Sequence, residues 1–256
     1  MIDHEGMLLV DRYANDLRSR IERGDFGTSG VIPSMSELGL EWGVKSRALV
    51  AEVIMLLRAQ GYLVQMPKKR YRVVYPRIVL PGLTPNFKEY IEAMGFNADE
   101  TDIEPAKVET MPLDIARIFT RIDTGEPAIR EGVHVVHRLR RQGIADLPMR
   151  LGHIWYPMEI AEPYLDKMRN DCHFDLPAAL KVNQNIALEE TDFTLRCRIP
   201  DHFEMRELNL ARYQPILECL RIGYTANREQ VITLHRTILD GTRFEYRLQL
   251  PAEFWK

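Results

Sequence analysis

Apolar residues between positions 46 and 61 follow the period of an α-helix. They recur at steps of three and four, at Leu49 or Val50, Val53, Ile54 and Leu57, so they share one face of a helix. Ser46 is a suitable N-cap for this helix, and Gly61 is well placed to end it. A shorter helical pattern precedes it across Gly43-Val44, and a strand-like run follows Gly61. The pattern predicts a helix-turn-helix followed by a wing.

The polar positions around this helix indicate a nucleic-acid interface. Arg47 faces away from the apolar stripe in the first turn, where helix-turn-helix proteins contact base edges, so it could reach guanine in a major groove. A basic run of Lys68, Lys69, Arg70 and Arg72 follows one element later, where contacts with phosphates are favoured. The alternative is a plain amphipathic helical hairpin with a solvated Arg47 and a solvated hairpin tip.

Downstream of residue 76 the pattern changes to alternating strand-like and helical segments. Pro76 and Pro81 mark extended backbone, and residues 77–85 are predicted to link two domains. The predicted helices span residues 85–94, 112–119, 175–180 and 204–210, and Asp175 is the predicted N-cap of the third. The predicted strands span 101–109, 131–139, 150–156, 187–198, 216–225 and 231–239, with a loop at residues 143–148. Strands joined mainly by hairpins indicate an antiparallel sheet with helices packed on one side. The predicted fold class is α+β, with domains at residues 1–76 and 86–256.

Composition and charge narrow the class of protein. A chain of 256 residues with 45% apolar and 28% charged residues suits two ordinary globular domains. No apolar run approaches the roughly 20 residues that span a bilayer, the first residues do not resemble a signal peptide, and three widely spaced cysteines favour a reducing cytoplasm. Residues 1–76 carry 11 Lys and Arg against 9 Asp and Glu, whereas the remainder carries 23 against 28. The amino-terminal part is therefore the expected partner of a polyanion.

Catalytic and metal-binding motifs are not found in the sequence. It contains no His-Glu-x-x-His, Gly-x-Ser-x-Gly or Cys-x-x-Cys pattern. His134 and His137 lie an odd number of positions apart, so a regular strand points them to opposite faces and they cannot both bind one metal alongside His153. We therefore expect no catalytic residues, no metal and no cofactor.

The amino-terminal residues resemble the winged helix-turn-helix domain of GntR-family transcriptional regulators. The resemblance covers residues 8–75, and its most specific matches are the run LRSRIERG at residues 17–24, Pro33-Ser34, Gly43-Val44, Ser46-Arg47, Val50 and Gly61. Lys45 is an extra residue before Ser46, and Ala51 stands where the family usually has an arginine. The resemblance implies that Lys45, Ser46 and Arg47 lie at the DNA, together with the basic run of the wing.

Residues 86–250 resemble the UTRA effector-binding domain that HutC-like members of the GntR family carry. The matching landmarks are Gly125-Glu126-Pro127 before a strand, Pro148 and Pro157 around the next strand, and the closing segment 240–246. The resemblance implies a fold like that of chorismate lyase, with a ligand pocket rather than a catalytic centre.

The same resemblance implies which residues contact an effector. Arg138 and Arg140 are both candidates for an arginine of the first strand, the family's glutamate on the second strand falls on Gly152, and a hydroxyl at a helix start falls on Asp175. The other expected pocket residues are His153, Trp155, Tyr224, Arg243 and Tyr246.

The residues at these positions indicate the chemistry of the effector. The carboxylate of Asp175 would repel a phosphate at the helix start, so a phosphorylated sugar is disfavoured. We expect an effector that is neutral or carries a carboxylate met by Arg138 or Arg140, with an apolar body against Trp155 or Tyr224. The alternative is a vestigial pocket in a constitutive protein.

The predicted protein is a cytoplasmic, homodimeric repressor. Binding of a small molecule is expected to release this repressor from its operator. It would bind double-stranded DNA and no membrane. Two alternatives remain open, namely a lyase-like enzyme on the second domain and a DNA-silent regulator that acts through protein contacts. The expected class is a regulator rather than an enzyme.

Overall fold

The chain forms two compact units in the computed structural model. The first unit comprises Met1–Thr84, Ile199–Ile216 and Asp240–Lys256, and the second comprises Pro85–Arg198 and Leu217–Leu239. The structure describes residues 4–27, 29–66, 70–74, 78–81, 87–93, 97–144, 147–211 and 214–247 and, apart from residues 4–8, 78–81 and 245–247, their side chains. No helix within these ranges is long and apolar enough to cross a membrane.

The first unit begins with three helices and a hairpin. These are α1 (His4–Arg23), α2 (Met35–Glu41), α3 (Arg47–Ala59), β1 (Leu63–Met66) and β2 (Arg70–Val73). The two strands pair antiparallel, with Leu63 opposite Val73 and Met66 opposite Arg70. The predicted helix-turn-helix and its wing are confirmed.

Local signals explain where these helices begin and end. The Ser34 hydroxyl accepts a hydrogen bond from Glu37 N, and the Glu37 carboxylate accepts one from Ser34 N at 2.7 Å, so a capping box starts α2. The Ser46 hydroxyl accepts from Leu49 N at 3.3 Å and starts α3. Gly61 follows α3 with a φ of +79°, which favours glycine. The apolar stripe predicted for α3 is buried in one core with residues of α1 and α2, and its members are Val50, Val53, Ile54 and Leu57.

Two later segments of the chain return to the first unit. One carries α9 (His202–Glu207), which Asp201 caps through Glu204 N at 2.8 Å, so this helix begins two residues before the predicted one. The other carries β10 (Phe244–Arg247), which pairs parallel with β3 (Ile78–Pro81). Residues 78–81 of the predicted linker thus form a strand. The domain limits of 1–76 and 86–256 stay a prediction.

The returning segments contact the wing and the end of α3. The Asn209 side-chain amide donates to Gln65 O at 2.9 Å. A Cβ atom on Gly61 would lie 2.4 Å from Thr242 Oγ1 and 2.6 Å from Thr242 O. The backbone around Gly61 and Thr242 therefore packs without room for a side chain.

The second unit is built on a six-stranded sheet in the order β4-β5-β6-β9-β8-β7. The strands are β4 (Ala98–Thr110), β5 (His134–Ile144), β6 (Leu147–Pro157), β7 (Glu190–Arg198), β8 (Ile216–Tyr224) and β9 (Val231–Asp240). All six predicted strands are confirmed. The strands β5 and β6 extend into the predicted loop at residues 143–148, and Arg140, Arg141 and Gln142 also pair with β6. The predicted strand stops before these three residues because they lack the apolar alternation that marks a strand in sequence.

Helices cover both faces of this sheet, so the prediction of helices on one side is wrong. The helices of the second unit are α4 (Phe87–Ala93), α5 (Leu113–Ile118), α6 (Met158–Ala161), α7 (Leu165–Asn170) and α8 (Leu176–Gln184). Side chains of α6, α7 and α8 share a core with Val136 and Tyr156. Those of α5 share another core with Val135 and Trp155. Adjacent strand residues point to opposite faces, so each strand supplies both cores.

Candidate functional site

A cavity of about 410 Å³ lies within the second unit. Its floor consists of alternate residues of neighbouring strands, and they include Arg140, Arg150, Gly152, Arg221, Thr233 and His235. Its walls come from α4, from Glu100 of β4 and from the segment 173–177 that leads into α8. A cavity of this size with a few converging polar groups suits a small molecule.

The sheet register brings the floor residues together. Arg140 of β5 lies opposite Gly152 of β6, and Ile154 lies opposite His235 of β9. Residues two positions apart on a strand share a face, so Arg140 and Arg150 come to the same side as Gly152. Three guanidinium groups and one imidazole thus converge on one floor.

His235 is held as a neutral hydrogen-bond donor. Arg221 Nη2 lies 2.7 Å from His235 Nδ1, and a guanidinium group can only donate, so Nδ1 accepts and the ring proton sits on Nε2. Burial, followed by the charges of Arg221, Arg150 and Arg140, lowers the pKa of His235 well below the ordinary histidine value. The imidazole therefore remains neutral at physiological pH.

Among the described side chains, Arg140 and Asp175 are the two predicted effector contacts that line the cavity. Arg140 Nη1 lies 2.5 Å from Glu100 Oε1, and Nη2 donates to Cys172 O, so this arginine also fixes the wall. Asp175 is the predicted N-cap of α8, and its Oδ1 accepts from Ala178 N at 3.2 Å. A carboxylate thus occupies the start of that helix.

Arg138 shares a face with Arg140 but does not line the cavity. Its side chain is 1% exposed, and it makes two hydrogen bonds of 2.9 Å to the Asp102 carboxylate. It also donates to Asp171 O at 2.6 Å and to Phe174 O at 3.2 Å. Arg138 therefore anchors the segment that carries the cavity wall.

Two further predicted contacts lie on the opposite face of the sheet. His137 stacks on Trp155 with ring centroids 4.7 Å apart, and His137 Nε2 lies 3.2 Å from His153 Nδ1. Trp155 Nε1 donates to Glu109 Oε1 at 3.0 Å. His153 and Trp155 thus belong to the packing beneath α5, away from the cavity.

Tyr224 and Arg243 are also not brought to the cavity. The hydroxyl of the buried Tyr224 donates to Asp192 at 2.9 Å. Arg243 is buried in the first unit, where its Nε lies 2.6 Å from Asp240 Oδ2. The Tyr246 side chain lies outside the described residues. Within the described part of the chain, no group of three His, Cys, Asp or Glu residues could hold a metal ion.

Acid is expected to destabilise the second unit through its buried histidines. Burial, followed by the charge of His137, lowers the pKa of His153 to about 3, and burial also lowers the pKa of His137. As the pH falls, these histidines therefore bind protons in the unfolded chain before they do in the folded one. The free energy of unfolding has its full value at pH values above about 6.5, and it decreases as the pH drops from there toward 3.

Urea unfolding at pH 7 and pH 5 measures this effect. We expect His153→Gln to reduce the loss of stability between the two values, while His134→Gln at an exposed position keeps it. An equal loss in the wild type and His153→Gln would contradict this role of His153.

The sequence analysis missed Arg150, Arg221 and His235 as cavity residues. Alternation along β5 shows which residues of that strand share a face with Arg140. It does not show which residues of β6, β8 and β9 lie beside Arg140. That information is the register, which depends on hairpins and on packing between strands far apart in sequence.

Three of the predicted DNA contacts are gathered at the start of α3. Lys45, Ser46 and Arg47 are exposed there, and Arg70 is exposed at the start of β2. Arg72 is half-buried, with its Cγ 3.4 Å from where a Cβ on Gly30 would lie. Lys68 and Lys69 lie outside the described residues. The exposed face of α3 also carries residues that the sequence analysis did not single out, namely Ala48, Glu52 and Met55.

Comparisons with known proteins agree with this architecture. Residues 125–245 match the UTRA domain family. The fold is similar to that of PhnF from Mycobacterium smegmatis, with a TM-score of 0.59, 19% identity, and coverage of 93% of this chain and 99% of that one. No curated protein matches the chain in sequence.

Two further solved structures share the fold over nearly their whole length. One is described as a GntR-family transcriptional regulator (TM-score 0.56, 16% identity, 95% of this chain and 98% of that one). The other is YydK from Bacillus subtilis, described as a transcriptional regulator (TM-score 0.53, 15% identity, 95% of this chain and 99% of that one). Both descriptions name regulators rather than enzymes. Residues 125–245 thus match the UTRA domain, and the whole chain has a fold similar to those of these full-length proteins.

Proposed function

We propose that this chain is a transcriptional regulator that binds double-stranded DNA through α3 and the wing and binds a small molecule in the cavity of its second unit. The observation that carries the proposal is the exposed basic start of α3, followed by a wing, in a chain that also contains a UTRA domain. In helix-turn-helix proteins the first residues of the second helix contact base edges. Its place of action would be the cytoplasm.

The effector is proposed to control repression. A ligand that binds one state of a two-state protein better than the other shifts the population toward that state. We propose that effector binding favours a state that releases the operator. Asp175 lies in the cavity wall at the start of α8, and its carboxylate argues against an effector with a phosphate there. Arg140 favours an effector with a carboxylate or a neutral polar group.

The active form is proposed to be a homodimer that reads an inverted repeat. One winged helix offers few base contacts, whereas two related by a two-fold axis read two half-sites. Sedimentation of the full chain tests this proposal, and a monomer at tens of micromolar would contradict it. Sequencing of DNA fragments selected by the pure protein would give the half-site spacing.

Replacement of Arg47 by alanine is expected to weaken binding to the selected operator by about 1–3 kcal/mol and to relax the base preference at one position. The reason is that a bidentate contact from arginine to guanine distinguishes bases, whereas a phosphate contact does not. Arg70→Ala in the wing should weaken all sequences alike and lower the salt dependence.

Titration of labelled operator and random DNA at two salt concentrations measures both effects. Arg130→Ala, at an exposed position of the second unit, is the control and should bind as the wild type does. An equal loss for Arg47→Ala on operator and random DNA would show that Arg47 contacts only phosphates. Absence of a shift for the wild type at low salt would refute DNA binding itself.

A further inference from the structure

The centre of the cavity floor is an open patch at Gly152. This glycine lies between Arg140 on β5 and Thr237 on β9 in the sheet register. A Cβ atom added here would meet only His235 Nε2 within 4 Å, at 3.5 Å, which is an ordinary van der Waals contact. Space for a group of a few atoms therefore lies in front of Gly152, beside the ring nitrogen of His235.

The groups around this space favour negative charge. His235 Nε2 carries the ring proton because Nδ1 accepts from Arg221, so its N–H is a donor beside the open patch. Arg221 of β8, Arg150 of β6 and Arg140 of β5 all lie close enough to His235 to disfavour its protonation. Burial is the main reason that the imidazole stays neutral, and the positive potential of these arginines, which adds to that effect, attracts an anion.

The other charged residues of the lining lie on the walls, and they are Lys88, Glu89 and Glu92 of α4, Glu100 of β4 and Asp175 before α8. Glu100 is engaged with Arg140 at 2.5 Å, and Asp175 is engaged as the cap of α8. Phe87, Ile154 and Tyr156 add apolar surface to the lining. The cavity thus combines a cationic floor with an apolar surface beside it.

We propose that the space in front of Gly152 is an anion subsite that takes a carboxylate of the small molecule, with the His235 Nε2–H as its donor and the arginines of the floor as its counter-charge. The proposal rests on the proposed function in one respect, namely that the cavity takes a small molecule. A carboxylate fits better than a phosphate dianion because the floor offers a neutral N–H donor and the helix start nearby is already occupied by the Asp175 carboxylate.

Two isosteric variants test the charge preference of this subsite without knowledge of the natural ligand. Gly152→Asp places a carboxylate in the open space, and Gly152→Asn places an amide of the same size there. Both side chains suit a strand equally poorly, so the difference between them reports mainly charge. We expect Gly152→Asp to melt about 2–5 °C above Gly152→Asn at low salt, with a smaller difference at high salt.

A change of the counter-charge supplies the matched control. In an Arg221→Leu background the difference between the Asp and Asn variants is expected to shrink, because one guanidinium of the floor is lost. If Gly152→Asn melts at or above Gly152→Asp at low salt, the subsite does not prefer an anion and the proposal is wrong.

Direct binding is tested on the full chain with benzoate and hexanoate as probes and with their primary amides as neutral counterparts. Calorimetry should give at least tenfold weaker binding for each amide, near-wild-type binding in Gly152→Ala, and a loss of at least tenfold in Gly152→Asp and in His235→Phe. Amides that bind as well as the acids would overturn the proposal.

Failure of the subsite and failure of the proposed function are distinguishable. Operator binding by the wild-type chain tests the regulator and does not involve Gly152. The comparison of the Asp and Asn variants tests the subsite whether or not DNA is bound.

Discussion

Gly61→Ala is expected to destabilise the first unit by about 2–5 kcal/mol. Gly61 has a φ of +79°, and a left-handed conformation costs a residue with a Cβ about 1–2 kcal/mol. The added methyl group would also lie 2.4 Å from Thr242 Oγ1 and 2.6 Å from Thr242 O. Because one of these atoms belongs to the backbone, the clash is not relieved by a side-chain rotation, and overpacking of this kind adds about 1–3 kcal/mol.

Gly43→Ala provides a matched control for this prediction. Gly43 also has a positive φ, +65°, but no atom lies within 4 Å of the position of its Cβ. It should therefore show the conformational cost alone. Urea unfolding followed by the fluorescence of Trp42, which lies in the first unit, measures both variants. Equal losses in Gly61→Ala and Gly43→Ala would show that the returning segment with Thr242 is not packed tightly against the end of α3.

Arg138→Ala is expected to destabilise the second unit by about 3–5 kcal/mol. The guanidinium is almost fully buried and binds the Asp102 carboxylate and the carbonyls of Asp171 and Phe174. Removal of Arg138 leaves the Asp102 carboxylate with only Arg140 Nε, at the longer distance of 3.6 Å, and loss of one partner of a buried ion pair costs about this much. The carbonyls that position the cavity wall would lose their donor at the same time.

The exposed Arg130→Ala is the control and should change the free energy of unfolding by less than about 0.5 kcal/mol. The double change Asp102→Leu with Arg138→Met should recover part of the lost stability, because it removes both charges together. Wild-type stability of Arg138→Ala together with a loss of small-molecule binding would contradict the anchoring role. Arg138 would then be a ligand contact, which is one of the two possibilities that the sequence leaves open. Its burial and its four hydrogen bonds favour the anchoring role.

The effector contacts expected from the family resemblance were harder to predict than the fold. Asp175 was identified correctly as a helix cap, because a cap depends on residues three positions away. Arg138 and Arg140 could not be told apart, because both point to the same face and only the path of residues 171–174 determines which of them is covered. Trp155 and Tyr224 look like pocket residues in sequence, but each has its polar atom bound to a carboxylate away from the cavity.

The sequence by itself determined the local structure of this protein and its fold class. The caps at Ser34, Ser46 and Asp175, the stop at Gly61 and the apolar periods all act over a few residues, so they can be recognised without knowledge of distant contacts. Only the tertiary structure decided which side chains meet. The register of four strands brings Gly152 beside His235 and three arginines, and two late segments return to pack on the winged helix. Such contacts join residues far apart in the chain, and their free energy comes from burial and electrostatics that exist only once the sheet has formed.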